Sequence, residues 1–188
     1  MGRHRKLEAE AILESAEQVM LERGLGKLTL EAVASRAGIS KATVLYDYKT
    51  KDALVFAMIR RLLEEEMERY EEMKAMLPER DAGILSRIAV SDRRLSDEDR
   101  ATAMMVIAAL TNDGEVKALA SDFFRQSIDD VVATAGRPRG ALLAFLALHG
   151  LRNLECFGFV EWSPEEFRGM LEDIEWLARQ DPGDPSAP

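Results

Sequence analysis

Cysteine is nearly missing from this sequence. A single one, Cys156, stands among 188 residues, so no internal disulfide can form. Histidine is almost as scarce, with two, which leaves too few ligands for a Cys/His metal site. Aromatic residues make up 6% of the chain. No apolar run approaches the ~18 to 20 residues that span a bilayer. The start, "MGRHRKLEAEAIL", is basic but has no secretory apolar segment, and Lys6 stands where a myristoylation signal on Gly2 would need Ser or Thr. A cytoplasmic protein is expected. The motifs GxSxG, HExxH, CxxC, GxGxxG and the P-loop are all missing. Acidic pairs are many but fall on helix faces, where solvated charge is the default. No enzyme, catalytic residue, metal or cofactor is therefore expected.

What is present is ordinary globular material: 47% hydrophobic and 31% charged residues, in a length suited to one or two compact units. The formal charge of −9 is unevenly spread, with +2 over residues 1–60 and −11 over the rest. A mildly basic head on an acidic body suits a protein that meets a polyanion with one end, although such asymmetry also arises by chance.

No segment alternates as a strand does. Apolar residues recur at helical spacing almost throughout, with Pro and Gly at the breaks. The first helix is predicted from about Lys6 to Arg23, burying Ile12, Leu13, Ala16, Val19 and Met20 and ended by Gly24 or Gly26. Thr29 caps a second helix, Leu30 to Ala37. Gly38 supplies a left-handed turn residue, and Ser40 caps a third, Lys41 to Asp47. Thr50 caps a long fourth helix to about Met76. A short helix follows Pro78. Ser96 starts another that runs to Leu110, and "TNDGEV" turns into a long helix ending near Thr134. An apolar helix follows, Pro138 to Phe157. Ser163-Pro164-Glu165-Glu166 is a capping box that opens the last helix, to about Arg179. The fold class is all-α with about nine helices, and "QDPGDPSAP" is expected to be a disordered tail.

The second and third helices, joined by Gly38, Ile39 and Ser40, form a helix–turn–helix. The third rises only about 10 Å, which fits a major groove about 12 Å wide. Lys41, Ala42 and Thr43 sit at the end that meets base edges. Tyr46 can reach a phosphate with its hydroxyl. Thr50 and Lys51 open the next helix, whose free N–H groups favour a phosphate. Asp47 either accepts from a cytosine amino group or holds Lys49 or Lys51 in place. Tyr48 is expected to pack inside the head. Arg3, Arg5 and Lys6 suggest a basic arm on phosphates or in the minor groove, or simply a charged terminus.

Thr29, Val33, Ala34, Ala37-Gly38-Ile39-Ser40, Thr43, Lys51 and Leu54, taken together, resemble the DNA-binding head of the tetracycline-repressor (TetR) family. Two positions depart from that pattern: Leu45 replaces a common aromatic and Asp47 a common histidine. The resemblance implies a helix–turn–helix DNA-binding domain over residues 5–60, an effector-binding and dimerisation domain over 61–180, and the tail over 181–188. It implies a repressor released from a palindromic DNA operator by a small-molecule effector, with DNA contacts from Thr29, Lys41, Ala42, Thr43, Tyr46, Thr50 and Lys51. It also implies a homodimer through roughly 138–157 and 163–179. The leucines around the eighth helix support this independently, because Leu142, Leu143, Leu146, Leu148, Leu151 and Leu154 with Phe145 surround more of it than one face can bury. Met104, Met105, Phe123, Phe124, Phe157 and Trp162 are candidates to line a pocket for a small apolar effector, or are core. His149 and Cys156 read most simply as buried core or interface residues. Two alternatives remain open: a helical dimeric interaction protein with a degenerate head, and a small-molecule-binding helical protein without DNA binding.

Overall fold

The computed structural model describes residues 2–111 and 114–182, with side chains from Glu8 onward, and these residues are helical with no strand. The helices are α1 (Gly2–Arg23), α2 (Leu30–Ala37), α3 (Lys41–Asp47), α4 (Lys51–Lys74), α5 (Ala82–Val90), α6 (Asp97–Leu110), α7 (Gly114–Thr134), α8 (Pro138–Cys156) and α9 (Pro164–Ala178). A 3-10 turn, Leu25–Lys27, follows α1 and has no sequence signal beyond Gly24 before it and Gly26 within it. The tail beyond Gln180 lies largely outside the described residues, as do Asn112 and Asp113 of the turn before α7.

The chain divides into two compact units. One holds the chain up to Glu64 together with Asp97–Leu119; the other holds Glu65–Ser96 and the chain from Ala120 onward. In the first, Ile12, Ala16, Val19 and Met20 of α1 are buried against Val33 of α2, Val44 of α3 and Leu54, Met58 and Ile59 of α4. Met105, Ala109 and Val116 join this same core, so α6 and the start of α7 add a wall to it. Helix α1 begins at Gly2, earlier than Lys6, because Arg3, Arg5 and Lys6 are good helix formers and nothing there breaks the pattern. The basic arm is thus the first turns of α1, and its side chains lie outside the described residues. Gly24, at φ 79°, ends α1 and donates to the Met20 carbonyl at 2.7 Å. Helix α4 stops at Lys74, and its end tightens through i→i−3 bonds from Met76 to Met73 and from Leu77 to Lys74.

In the second unit α8 and α9 pair around Phe145, Leu148, Leu151, Phe167, Leu171 and Ile174. The capping box is formed: Glu166 N–H donates to Ser163 Oγ at 3.2 Å, and Ser163 N–H donates to Glu166 Oε2 at 2.8 Å. Two glycines set the spacing of helices. At Gly83 a Cβ would lie 2.6 Å from Thr134 Oγ1 and 2.8 Å from the Asp130 carbonyl oxygen, so α5 rides directly on the backbone of α7. Asp81 holds α5 there despite a left-handed φ of 64°; its N–H donates to the Thr134 carbonyl at 2.9 Å and its Oδ1 accepts from Gly136 N–H at 2.7 Å. At Gly140 a Cβ would fall inside contact distance of the Gln180 carbonyl and 2.8 Å from that of Leu177. These are backbone atoms and cannot rotate away. Gly140→Ala is therefore expected to cost about 1–3 kcal/mol by overpacking, read as a lower urea midpoint; an unchanged midpoint would show that α9 moves freely.

Candidate nucleic-acid interface

Two capped helices and one left-handed glycine build the recognition unit. Thr29 Oγ1 accepts from Ala32 N–H at 3.1 Å, starting α2. Gly38 ends it at φ 67°, in the left-handed region, where a side chain would strain the backbone. Ser40 Oγ then accepts from Thr43 N–H at 3.1 Å, starting α3 after a turn of only three residues. Ile39 is half-buried against the core and closes the corner. Val44 is the one fully buried residue of α3, so most of that helix stands clear of the protein.

On the outward side Lys41 and Ala42 are exposed, Thr43 is half-buried and Tyr46 is 68% exposed. Thr43 also shares a hydroxyl–hydroxyl hydrogen bond of 2.9 Å with Ser40, which orients its side chain at the start of the helix. Lys41 forms an ion pair with Glu31 of α2, and this hydrogen bond holds the Glu31 carboxyl below its ordinary range. The sequence pattern pairs no acid with Lys41; Glu31 lies ten residues earlier and meets it only because the helices cross.

Thr50 Oγ1 accepts from Ala53 N–H at 3.0 Å and caps α4. Lys51 does not project freely: its Nζ donates to the Leu25 carbonyl at 2.7 Å, tying the start of α4 to the 3-10 turn. An ammonium has three donors, and this bond uses one of them. Tyr48 is half-buried beside the core, and burial first, then the neighbouring Asp47 charge, pushes its phenol above the usual range. Arg61 is a cornerstone of this unit, donating from Nη1 to Glu10 at 2.7 Å and from Nη2 to Glu17. Arg36 likewise pairs with Glu22 at 2.6 Å.

The six pocket candidates fall in different places. Met105 is 3% exposed inside the core of the first unit, and Met104, its neighbour on α6, is 46% exposed. Met105 thus packs inside that core. Phe123, Phe124, Phe157 and Trp162 belong to the second unit. There Phe123 and Phe124 meet edge to face at 5.5 Å, Phe157 stacks on Phe159 at 5.4 Å, and Trp162 packs on the core. His149 lies between Phe124 and Phe145, with centroid distances of 5.4 and 4.3 Å, and burial first, then the Arg87 charge, lowers its pKa. Among the described residues no cluster of three or more His, Cys, Asp or Glu side chains is placed to hold a metal, and no helix is long and apolar enough to cross a membrane.

A short capped helix with its polar face turned outward, set across a second helix by a glycine turn, defines a helix–turn–helix DNA-binding protein. Residues 12–58 match the model of the bacterial regulatory proteins of the tetR family, and residues 83–179 match that of the tetracyclin repressor-like C-terminal domain. The chain belongs to the TetR family and is a transcriptional regulator of that family. Solved structures share its fold. A candidate TetR-family regulator from Mesorhizobium loti MAFF303099 superposes with a TM-score of 0.75 at 16% identity, covering 92% of this chain and 96% of that one. A candidate transcriptional regulator from Saccharomonospora viridis in complex with choline gives 0.71 at 18% identity, covering 93% and 96%. The multidrug binding protein EbrR complexed with ethidium gives 0.67 at 19% identity, covering 93% and 99%. No curated protein sequence matches the chain.

Proposed function

We propose that the protein is a homodimeric repressor that holds a palindromic operator through two copies of α3 and releases it when a small molecule binds the second unit. The observation that carries the DNA-reading part is the outward face of α3. Ala42 and Thr43 stand at its first turn and Tyr46 one turn on, over a helix held by a single buried valine. Thr43 is suited to a base edge, Tyr46 to a phosphate, and Lys41, Thr29, Thr50 and Lys51 to the backbone on either side.

Pairing is supported by the second unit. Leu143, Leu146 and Leu154 of α8 are 39%, 56% and 39% exposed, and Trp176 of α9 is 62% exposed. The three leucines follow one helical stripe, with Gly150 between them open enough for another backbone to approach. A two-fold pairing of α8 and α9 would cover them, spacing two heads about one DNA turn apart. The fold accommodates small molecules in two relatives, choline in one and ethidium in the other, which supports an effector here.

The test is a binding-site selection followed by mobility shifts at several salt concentrations. Steep salt dependence and an inverted repeat are expected, and a flat, sequence-blind response would remove the reading. Thr43→Ala is expected to relax one symmetric base position, worth about 1–3 kcal/mol of discrimination per contact, while Tyr46→Phe weakens all sites alike. If both variants bind as the parent does, α3 is not the reading helix.

A further inference from the structure

The contact between α5 and α7 leaves an arginine half used. Gly83 of α5 touches α7 at Asp130, Val131 and Thr134. One turn further along α5, Arg87 is 1% exposed. Its Nη1 donates to the Gly83 carbonyl at 2.6 Å and to Asp130 Oδ2 at 2.9 Å. Its Nε and Nη2 are buried and have no hydrogen-bond partner among the described residues. Those two N–H groups lie side by side on one edge of the planar guanidinium, the pair that meets both oxygens of a carboxylate at once. Ser127 lies one turn before Asp130, where an α7 running antiparallel to α5 passes beyond Arg87. It is 1% exposed, and its Oγ too is without a partner among the described residues. Buried donors left unmade cost stability, so three of them on two packed helices call for an occupant.

The paired donors of Arg87 favour an anion, and the side chains around them are already engaged with one another. The Arg87 guanidinium lies 4.7 Å over the Tyr70 ring, so that aromatic face already carries a cation. The Tyr70 hydroxyl donates to Glu66 Oε1 at 2.5 Å and is not a hydrogen-bond partner of Arg87 Nε or Nη2. Asp130 is shared between Arg87 and Lys74, Lys74 also pairs with Glu71 at 3.3 Å, and burial opposes the ionisation of Asp130 while the hydrogen bonds from Lys74 and Arg87 overcome that and hold it ionised, so the donors left over are those of Arg87 itself. Phe124, Phe145 and His149 supply an apolar and aromatic flank, and of these Phe124 reaches the surface at 43% exposure.

We propose that Arg87 and Ser127 form the head of a binding site for a small organic carboxylate, with Tyr70, Phe124, Phe145 and His149 against its aromatic or aliphatic body. The role of that acid as effector rests on the release mechanism proposed above; the binding site does not. A second cation such as choline would have to displace Arg87 from the Tyr70 ring, so the site discriminates against that class. His149 is kept neutral first by burial and then by the Arg87 charge, with Glu66 acting in the opposite sense.

The experiment is calorimetric titration of the full-length protein with benzoate and hexanoate, with benzamide and choline as comparators. Saturable binding of the two acids is expected, with the comparators at least about tenfold weaker. Arg87→Lys keeps the charge but removes the fork, and should weaken the acids roughly tenfold or more. Ser127→Ala should weaken them about three- to tenfold with the melting temperature maintained, so the proposal stays testable if Arg87→Lys loosens the fold. Absence of saturable acid binding, which is what a buried water on the fork would give, overturns the site, as does unchanged affinity in both variants. A mobility shift with operator DNA separates the two claims. Acids that bind yet leave DNA held would sink the release mechanism and keep the site. Release by choline without acid binding would do the reverse.

Discussion

Leu146→Glu is expected to yield a folded monomer whose operator affinity has fallen by about two orders of magnitude or more. The residue is 56% exposed in the single chain, so glutamate there is solvated and α8 still packs through Phe145, Leu148 and Leu151. In a two-fold dimer the same position occurs twice near the axis, placing two carboxylates in an apolar seam flanked by Leu143 and Leu154. Dissociation then removes the advantage of tethering. The second head no longer binds at the high effective concentration that linkage to the first provides, an advantage of roughly 10²–10⁴ in avidity. Sedimentation or light scattering reads the mass, circular dichroism the fold, and mobility shifts the affinity. A variant that remains dimeric would place the seam elsewhere on the chain. A monomer with undiminished affinity would mean that each head binds alone and that the palindrome is not read as a pair.

Glu155→Ala carries the second large effect, this time on stability. The Glu155 side chain is 1% exposed on the last turn of α8. It accepts from Arg94 Nε at 2.6 Å and from Arg152 Nη1 at 2.8 Å, with a longer bond of 3.4 Å from Leu95 N–H. Arg94 also donates to the Trp162 carbonyl at 2.9 Å and lies 4.8 Å over the Phe167 ring, and Arg152 donates to the Arg93 carbonyl at 3.0 Å. One carboxylate therefore holds the loop after α5 and the loop before α9 onto α8. Alanine removes it and leaves two arginines half-buried without their anion. Breaking a buried pair from one side costs about 3–5 kcal/mol, a large part of a typical domain's 5–15 kcal/mol. Urea unfolding should show the loss, and Glu155→Gln, which keeps an acceptor, should lose less. A change below about 1 kcal/mol would show that both arginines reach water on their own.

The sequence by itself determined the helices that position the face proposed to read DNA. Caps are local: Thr29, Ser40, Thr50 and Ser163 each bond to an amide three residues on, so a reader of the chain sees both partners together. Gly38 needs only its own left-handed backbone. The bounds of α2 and α3 are accordingly those the residues predict, and the face with Ala42, Thr43 and Tyr46 follows from helical spacing once Val44 is known to be inside. The early start of α1 and the 3-10 turn at Leu25–Lys27 were less legible, since neither is marked by a cap or an apolar pattern.

Only the tertiary structure decided which of many leucines on α8 are buried and which three remain uncovered, because helical spacing gives faces and not neighbours. Met105 reads as pocket or core in the sequence; only the packed chain places it among Ala109 and Val116. Lys51 meets a backbone carbonyl 26 residues away, Lys41 an acid ten residues back, and Arg87 a carboxylate 43 residues on. Such partners come together through the crossing of helices and the close approach that Gly83 allows. A buried guanidinium with two N–H groups that find no protein partner among the described residues has no local signature at all, since burial and partners belong to the packed chain and not to any stretch of it.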